Sequence, residues 1–260
     1  VDVLVLVDRE GAITAAEALT RARVISEELD RALEQILEVE LTELRLLLLV
    51  LPVDPLHEVD GQRRLVEARK RDEIPDQLLL LEHPSVITVG VSGRRHREHL
   101  LASPAELARR NIDLLEVSRG GDVPYHGPGQ LVGYPIINLR RANNLGPLAY
   151  VNNLEKSIST LLDELGIATD IENRPTGVWV NGAKIASIGV RISTGTSTHG
   201  FALNSNIDLS YFEHIVACGM PDVKATSITH ETGKTTEVTD IFEPMAESLA
   251  SFLDMKVIWQ

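Results

Sequence analysis

The sequence predicts a single α+β domain. Segments with the apolar spacing of an amphipathic helix are interspersed with short apolar runs of strand length, and two of these runs flank the residues of a tight hairpin. Hydrophobic residues make up 43% and charged residues 24% of the 260 residues, as in an ordinary globular protein with a full core. Helices interspersed with hairpin-connected strands are typical of an α+β architecture.

Helices are predicted from apolar spacing and from residues that start or stop a helix. Residues 12–44 repeat apolar side chains at spacings of three and four, and Thr14 with Glu17 would form a capping box at the start. The segment Tyr150–Leu165 has the clearest apolar face, and Gly166 follows it as a C-terminal stop. Further helices are expected at 55–70, 104–110 and 240–253.

Strands are predicted where apolar or β-branched runs are bounded by turn residues. Val178–Val180 and Lys184–Ala186 flank Asn181-Gly182, the pair favoured in two-residue hairpins. A longer loop that includes Ala183 is the alternative. The run LLLLEHPSVITVG is expected to hold two strands separated by its His-Pro pair. Further strands are expected at 46–51, 113–117, 131–137, 200–207 and 256–259.

Charge, hydropathy and cysteine content argue against several classes of protein. The formal net charge of −13 argues against a general nucleic-acid binder, which needs a basic face. The longest apolar run, LLLLVL at 46–51, falls far short of the ~20 residues of a membrane span. The single cysteine, Cys218, fits a reducing compartment. Asp2 and Asp8 are untypical of a signal or transit peptide, so a cytoplasmic protein is expected.

The stretch RGGDVPYHGPGQLVGYP, from Arg119 to Pro135, is exceptionally rich in glycine and proline. It lacks the Lys-Ser/Thr ending of a P-loop and the G-x-G-x-x-G spacing of a dinucleotide-binding turn, so nucleotide phosphate is not its expected ligand. Glycines let a main chain lie close to a ligand with its N–H groups exposed. A ligand site is therefore predicted here, with a tight structural turn as the alternative.

Cys218 is a candidate nucleophile. A lone cysteine is commonly a small buried hydrophobe, but Gly219 follows it at once, and a turn there would expose the sulfur or a neighbouring N–H. The thiolate is the reactive form, so a nucleophilic cysteine needs a partner that stabilises it. The partners considered are Lys184, His83, His126 and His199.

Lys184 opens the apolar run KIASIGV, directly after the predicted hairpin turn. The ordinary interpretation is a solvated strand end. If its ammonium instead reached Cys218, it would lower the pKa of the thiol electrostatically, and burial would make Lys184 a plausible proton carrier.

Four motifs in order resemble the lipoyl (octanoyl) transferases: RGGDVPYHGPGQLVGYPI, GVWVNGAKIASIGVRI, HGFALNSNIDL and CGMPD. The resemblance covers about residues 46–230. It implies the biotin/lipoate protein ligase fold, with a mixed central sheet, surrounding helices and a smaller sheet. The expected organisation is a catalytic domain over 46–260, preceded by a helical extension over 1–45 whose role the resemblance does not cover.

The resemblance also implies an activity, with no cofactor and no metal. The family moves an octanoyl group from octanoyl-acyl carrier protein to a lysine of lipoyl domains, such as those of 2-oxoacid dehydrogenase complexes and the glycine cleavage H-protein. Cys218 matches the nucleophile that holds the acyl group as a thioester, and Lys184 matches the lysine that lowers the pKa of that thiol. The residues that match the acyl-site segments are Arg119, Gly120, Gly121, Asp122, Val123, Pro124, Tyr125, His126, Ser187, Ile188, Gly189, Gly200, Phe201 and Ala202.

Two positions depart from the family pattern, and two other functions stay open. Pro124 replaces the usual threonine and removes one backbone donor, and Ala217 replaces a common proline. One alternative is an ATP-dependent lipoate or biotin ligase, which needs no nucleophilic cysteine. The other is a catalytically silent homologue that binds acyl or lipoyl carriers. The retained Cys218 and Lys184 favour the transferase.

Basic side chains beyond residue 56 come in clusters at 63–71, 94–97, 109–110 and 140–141. Solvated faces are the ordinary interpretation. Because carrier proteins and lipoyl domains are typically acidic, we expect some clusters to steer these partners in spite of the net negative charge. Neither nucleic acid nor a membrane is an expected partner. Reversing Arg140 and Arg141 to Glu is expected to raise KM for the carrier protein.

Overall fold

The computed structural model of the chain describes residues 44–52, 55–172, 174–216 and 219–259. The helix predicted over 12–44 lies outside these ranges except at Leu44, where a strand begins. The N-terminal extension predicted over 1–45 lies outside them as far as residue 43. Ala217 and Cys218 are outside them as well, so the prediction that pairs Cys218 with Lys184 remains a prediction.

A mixed sheet of seven strands forms the centre of the described chain, in the order β10-β1-β2-β6-β9-β8-β7. The strands β1, β2 and β10 pair in parallel, and all the other neighbours pair antiparallel. The bounds are β1 Leu44–Pro52, β2 Asp76–Glu82, β6 Gln130–Ile136, β7 Val178–Val180, β8 Ala183–Ser193, β9 Thr196–Asn204 and β10 Val257–Trp259.

A smaller sheet of three described strands lies alongside, in the order β4-β3-β5. It consists of β3 (Val86–Val89), β4 (Asp113–Glu116) and β5 (Tyr125–His126). The predicted break at the His-Pro pair is confirmed, because the chain leaves the large sheet after β2 and enters the small sheet at β3. The strand β3 pairs in parallel with β4 and antiparallel with β5.

Helices cover both faces of the large sheet. Their bounds are α1 Pro55–Lys70, α2 Pro104–Arg109, α3 Pro147–Glu164, α4 Ile228–Thr232 and α5 Phe242–Leu253. Leu78 and Leu80 of β2 pack in the core with α3 and α5, whereas Leu79 and Leu81 pack with Leu65 of α1. A strand buried on both faces is apolar at every position, which explains the run LLLL. Among the helices described, none has the length and apolarity that crossing a membrane requires.

The predicted Asn-Gly hairpin is confirmed as a two-residue turn. Asn181 has φ 51° and Gly182 has φ 82°, and Val180 pairs with Ala183, so the longer-loop alternative is wrong. The strand predicted over 200–207 is shifted: β9 starts at Thr196 and ends at Asn204. It ends there because the N–H groups of Ser205 and Asn206 both donate to the Gly129 carbonyl, 3.0 Å away, rather than continuing a ladder.

Candidate active site

A cavity lies where the two sheets meet, and both sheets contribute to its wall. The small sheet contributes residues of β3, β4 and β5, and the large sheet contributes residues of β6, β8 and β9. Most of the wall is apolar, and the apolar members that line it include Val86, Leu115, Val117, Val132, Ile188 and Phe201. An apolar wall of this kind suits an uncharged, elongated ligand, which loses little hydration on entry.

Most of the residues proposed from the motifs come together at this cavity. The members of the set that line it are Arg119, Gly120, Gly121, Pro124, His126, Ser187, Ile188, Gly189, Gly200, Phe201 and Ala202. Val123 and Tyr125 instead pack in the core of the small sheet, with Ile87 and Val89. Asp122 is buried and directs its carboxylate toward His99. Over 123–126 the residues alternate between the small-sheet core and the cavity, as neighbouring side chains of an extended backbone point to opposite sides.

Two glycines allow β6 and β9 to approach closely beneath the cavity. A Cβ on Gly200 would lie 2.0 Å from the Gly133 carbonyl oxygen, and a Cβ on Gly133 would lie 2.2 Å from the Phe201 ring. The Phe201 ring therefore lies directly on the backbone of Gly133. Gly133 of β6 and Phe201 of β9 are paired across the two strands. The glycines of this region serve close packing as well as approach to a ligand.

Arg119 connects the glycine-rich loop to β3. Its Nη2 donates to the carbonyl oxygen of Thr88 at 3.0 Å, to the Thr88 hydroxyl at 2.8 Å and to the Asp122 carbonyl oxygen at 3.1 Å. Its Nη1 donates to the Gly120 carbonyl oxygen at 3.0 Å. The guanidinium thus holds the curvature of the loop and places a buried positive charge beside the cavity.

Three histidines line the cavity, all of them candidates from the sequence for the partner of Cys218. His83 Nε2 lies 2.8 Å from the Tyr134 hydroxyl oxygen, and His126 Nδ1 lies 2.8 Å from Gln130 Oε1. His199 has φ 59°, and its backbone N–H donates to Gln62 Oε1 at 3.0 Å. All three lie within quoted sequence motifs, and this was the signal in the sequence that could have placed them at the site.

Desolvation inside the protein keeps the imidazoles of His126 and His199 neutral. Burial, followed by the nearby His83 and Arg119, lowers the pKa of His126 to about 3. Burial, followed by the charges of Arg119 and Arg191, lowers the pKa of His199 to about 4. At neutral pH these two rings therefore bring no positive charge to the cavity wall, in keeping with an apolar ligand.

We expect the pKa of His126 to appear in the pH dependence of stability. A histidine in the unfolded chain has a pKa of about 6.5. Below that pH the unfolded state binds a proton that folded His126 does not, so the free energy of unfolding falls as the pH drops toward about 3. Above pH 6.5 the residue has no such effect.

The measurement is urea unfolding of the wild type and of His126→Gln between pH 4 and 7. Between pH 4 and 6, proton uptake on unfolding should be lower by about one in the variant, and the difference should shrink as the pH rises through about 6.5. His230→Gln, at an exposed position of α4, is the matched control and should leave most of the slope in place. An equal slope for the wild type and His126→Gln would contradict the burial of a neutral imidazole.

Lys184 is buried rather than solvated, so the expectation of a solvated strand end is wrong. The residue is 6% exposed, its Nζ donates to the Thr176 carbonyl oxygen at 2.9 Å, and Nζ lies 5.2 Å from the centre of the Trp179 ring. The backbone of Lys184 pairs with the segment 224–226, which follows the CGMPD motif. Lys184 therefore places a buried positive charge beside the segment that follows the CGMPD motif.

The described residues on either side of Ala217-Cys218 lie against His99, and Gly219 also lies beside Asp122 of the glycine-rich loop. The N–H of Val216 donates to the His99 carbonyl oxygen at 2.7 Å, and the N–H of Gly219 donates to the Val216 carbonyl oxygen at 3.1 Å. A Cβ on Gly219 would lie 3.1 Å from both Asp122 Oδ2 and His99 Cε1. The predicted turn at Gly219 is therefore present, with φ 68°.

The fold is that of lipoate protein ligases. A solved structure, lipoate-protein ligase A bound with ATP, superposes with a TM-score of 0.63 at 15% identity, covering 84% of this chain and 89% of that chain. At this identity the likeness concerns the fold alone. It confirms the predicted architecture of a mixed sheet, surrounding helices and a smaller sheet.

Residues 54–250 match the family model of the lipoyl protein ligase A/B catalytic domain, and the chain belongs to this family. Octanoyltransferase of Koribacter versatilis is 45% identical over 202 residues, which are 76% of this chain and 80% of the relative. Octanoyltransferase of Chloroflexus aggregans is 45% identical over 201 residues, which are 76% of this chain and 89% of the relative. The family identified from the four motifs is confirmed.

Proposed function

We propose that the chain is an acyltransferase of protein lipoylation, which transfers an octanoyl group to a lysine of lipoyl domains. The observation that carries the proposal is the 45% identity to octanoyltransferases over 76% of the chain. The cavity supports it, because an apolar wall with neutral histidines fits an eight-carbon chain better than a charged ligand.

The donor is proposed to be octanoyl-acyl carrier protein, and the first step forms an acyl-enzyme. The Cys218 thiolate attacks the carbonyl carbon of the donor thioester, the new S–C bond forms, and the bond to the carrier sulfur breaks. Lys184 gives a proton to the departing thiolate and becomes a neutral amine. A thioester is exchanged for a thioester, so the step is near neutral in energy and needs no ATP.

The second step transfers the acyl group to the acceptor. The amine of the acceptor lysine attacks the Cys218 thioester, the amide bond forms, and Cys218 leaves as a thiolate. Neutral Lys184 takes the proton that the attacking nitrogen loses, which restores the ammonium for the next cycle. A side chain that changes charge in this way needs shelter from water, and the burial of Lys184 provides it.

The proposed acceptors are the lipoyl domains of 2-oxoacid dehydrogenase complexes and the glycine cleavage H-protein. The single cysteine as a free thiol supports placing the reaction in the cytoplasm, since a reducing compartment keeps thiols available.

The proposal is tested by incubating the protein with octanoyl-acyl carrier protein and a purified lipoyl domain in the absence of ATP. We expect the lipoyl domain to gain the mass of one octanoyl group, and Cys218→Ala to abolish the gain. Because a lipoate-protein ligase bound with ATP shares the fold, a parallel reaction contains octanoate and ATP. Modification only in that reaction would overturn the transferase in favour of a ligase, and modification in neither would favour a silent carrier-binding protein.

Charge reversal at Arg140 tests docking of the acidic donor. Arg140 is exposed, whereas Arg141 donates to Asp72 Oδ2 at 2.6 Å, so reversal of Arg141 would also break an ion pair of the fold. For Arg140→Glu alone we expect a severalfold rise in KM for octanoyl-acyl carrier protein at low salt, fading at high salt.

The control for this variant is octanoyl-pantetheine, a donor without a protein surface, whose KM should not change. An unchanged KM for the carrier protein at low salt would remove Arg140 from the docking surface.

A further inference from the structure

His99 and Asp122 form a hydrogen-bonded contact that the proposed chemistry does not use. His99 ends a short 3₁₀ turn, Arg97–His99, and its Nδ1 lies 2.5 Å from Asp122 Oδ2. The His99 side chain is 19% exposed and that of Asp122 is 8% exposed. A carboxylate that accepts from Nδ1 fixes both the tautomer and the orientation of an imidazole.

The pair touches both ends of the turn that carries Cys218. The carbonyl oxygen of His99 accepts the N–H of Val216 at 2.7 Å, and Leu100 forms an antiparallel bridge with Ile215. On the other side, a Cβ on Gly219 would lie 3.1 Å from both Asp122 Oδ2 and His99 Cε1. The backbone of His99 and Leu100 therefore contacts the chain directly before Ala217-Cys218, whereas the His99 ring and the Asp122 carboxylate lie beside Gly219, directly after it.

The same carboxylate belongs to the loop that lines the cavity. The carbonyl oxygen of Asp122 accepts from Arg119 Nη2 at 3.1 Å and from the N–H of Gly90 at 2.9 Å. Gly121 and Gly120, one and two residues before it, line the cavity. Asp122 is thus a rigid link between the cavity wall and the His99 ring.

We propose that His99 and Asp122 are a positioning pair, which holds the turn bearing Cys218 in register with the cavity. This inference rests on the proposed function, because it gives the pair a role in octanoyl transfer. Loss of the pair leaves the apolar cavity in place but displaces the turn. Misplacement of a reacting group by about 1 Å can slow a reaction about 10²-fold, so the chemical step should suffer and binding should not.

Substitutions at His99 separate positioning from direct proton transfer. The amide nitrogen of asparagine occupies the place of Nδ1, so His99→Asn keeps a donor for Asp122. His99→Leu removes that donor and keeps a side chain of similar volume. In His99→Gln the amide lies at the place of Nε2, so Asp122 again has no donor at the place of Nδ1. His96→Leu is the matched control, since His96 stacks on His99 with ring centres 5.2 Å apart and is half exposed.

The experiment measures single-turnover formation of the octanoyl-enzyme, together with kcat and KM for octanoyl-acyl carrier protein. We expect His99→Leu to lower the acylation rate and kcat about 10²-fold with KM unchanged, and His99→Asn and His96→Leu to stay near the wild type. His96, Glu98 and His99 offer ligand atoms within 4.8 Å of one another, so all reactions contain EDTA to remove stray ions. If His99→Leu does not fold, His99→Gln takes its place with the same expectation.

A wild-type acylation rate in His99→Leu would overturn the inference. Equal losses in His99→Leu and His99→Asn would overturn it as well, because the imidazole itself would then be required. Failure of the wild type to form any octanoyl-enzyme would instead overturn the proposed function, so the two failures are distinguishable.

Discussion

Lys184→Met is expected to lower the rate of octanoyl transfer by about 10³-fold, the range of a lost general acid–base group. Methionine has similar length and no charge, so the variant removes the ammonium without leaving a large void. The Lys184 side chain is buried, with its ammonium at the Thr176 carbonyl and near the Trp179 ring, and methionine is expected to fill the same space. Steady-state kinetics and single-turnover acylation measure the loss, and thermal unfolding shows that the fold is retained.

The control for this prediction is Lys224→Met. Lys224 is exposed, yet its carbonyl oxygen accepts the N–H of Lys184 at 2.8 Å, so it tests the same segment without the buried charge. Its rate should equal that of the wild type. Transfer by Lys184→Met within a factor of about three of the wild type would exclude Lys184 as the proton carrier, since loss of a general acid or base costs far more.

Gly177→Ala is expected to have the next largest effect, through Lys184. A Cβ on Gly177 would lie 2.4 Å from Lys184 Cε, 3.0 Å from Lys184 Nζ and 2.7 Å from the Ala186 carbonyl oxygen. The lysine end must move, which displaces the ammonium from the Thr176 carbonyl. We expect a loss of about 10²-fold in kcat and about 1–3 kcal/mol in the free energy of unfolding.

Gly182→Ala is the matched control, because it stands at the other end of the short strand β7. Gly177 has φ 132° and Gly182 has φ 82°, so both substitutions strain the backbone, but nothing lies within 4 Å of a Cβ on Gly182. Its cost should appear in stability and not in kcat. The double variant Gly177→Ala/Lys184→Met should be no slower than Lys184→Met alone, and additive losses would show that Gly177 acts by another route.

Local features of the fold were predictable because their causes are local. The Asn181-Gly182 turn follows from two residues that tolerate positive φ, and α3 follows from the spacing of its apolar side chains. Pro84 marks the break between β2 and β3 in the sequence. Nothing in the sequence of this segment indicates that the two strands belong to different sheets. Sheet membership depends on partners such as β6 and β4, which lie far along the chain.

The residues of the candidate site that lie within the four motifs could be predicted from the sequence. The burial of Lys184 could not be predicted from its local sequence. It depends on Trp179 across the hairpin and on the segment 224–226, which pairs with the Lys184 backbone. The contact between His99 and Asp122 joins residues 23 positions apart, which no periodicity connects. His83 and His199 become cavity residues only when β2, β6 and β9 assemble.

Cys218 is proposed to carry the octanoyl group during transfer. Intact-protein mass spectrometry after mixing with octanoyl-acyl carrier protein, without ATP, tests it most directly. We predict one octanoyl adduct on the wild type, labile to hydroxylamine and absent from Cys218→Ala. A wild-type protein that acquires no adduct from an active donor, or a Cys218→Ala variant that acquires the same adduct, would exclude Cys218 as the carrier of the octanoyl group.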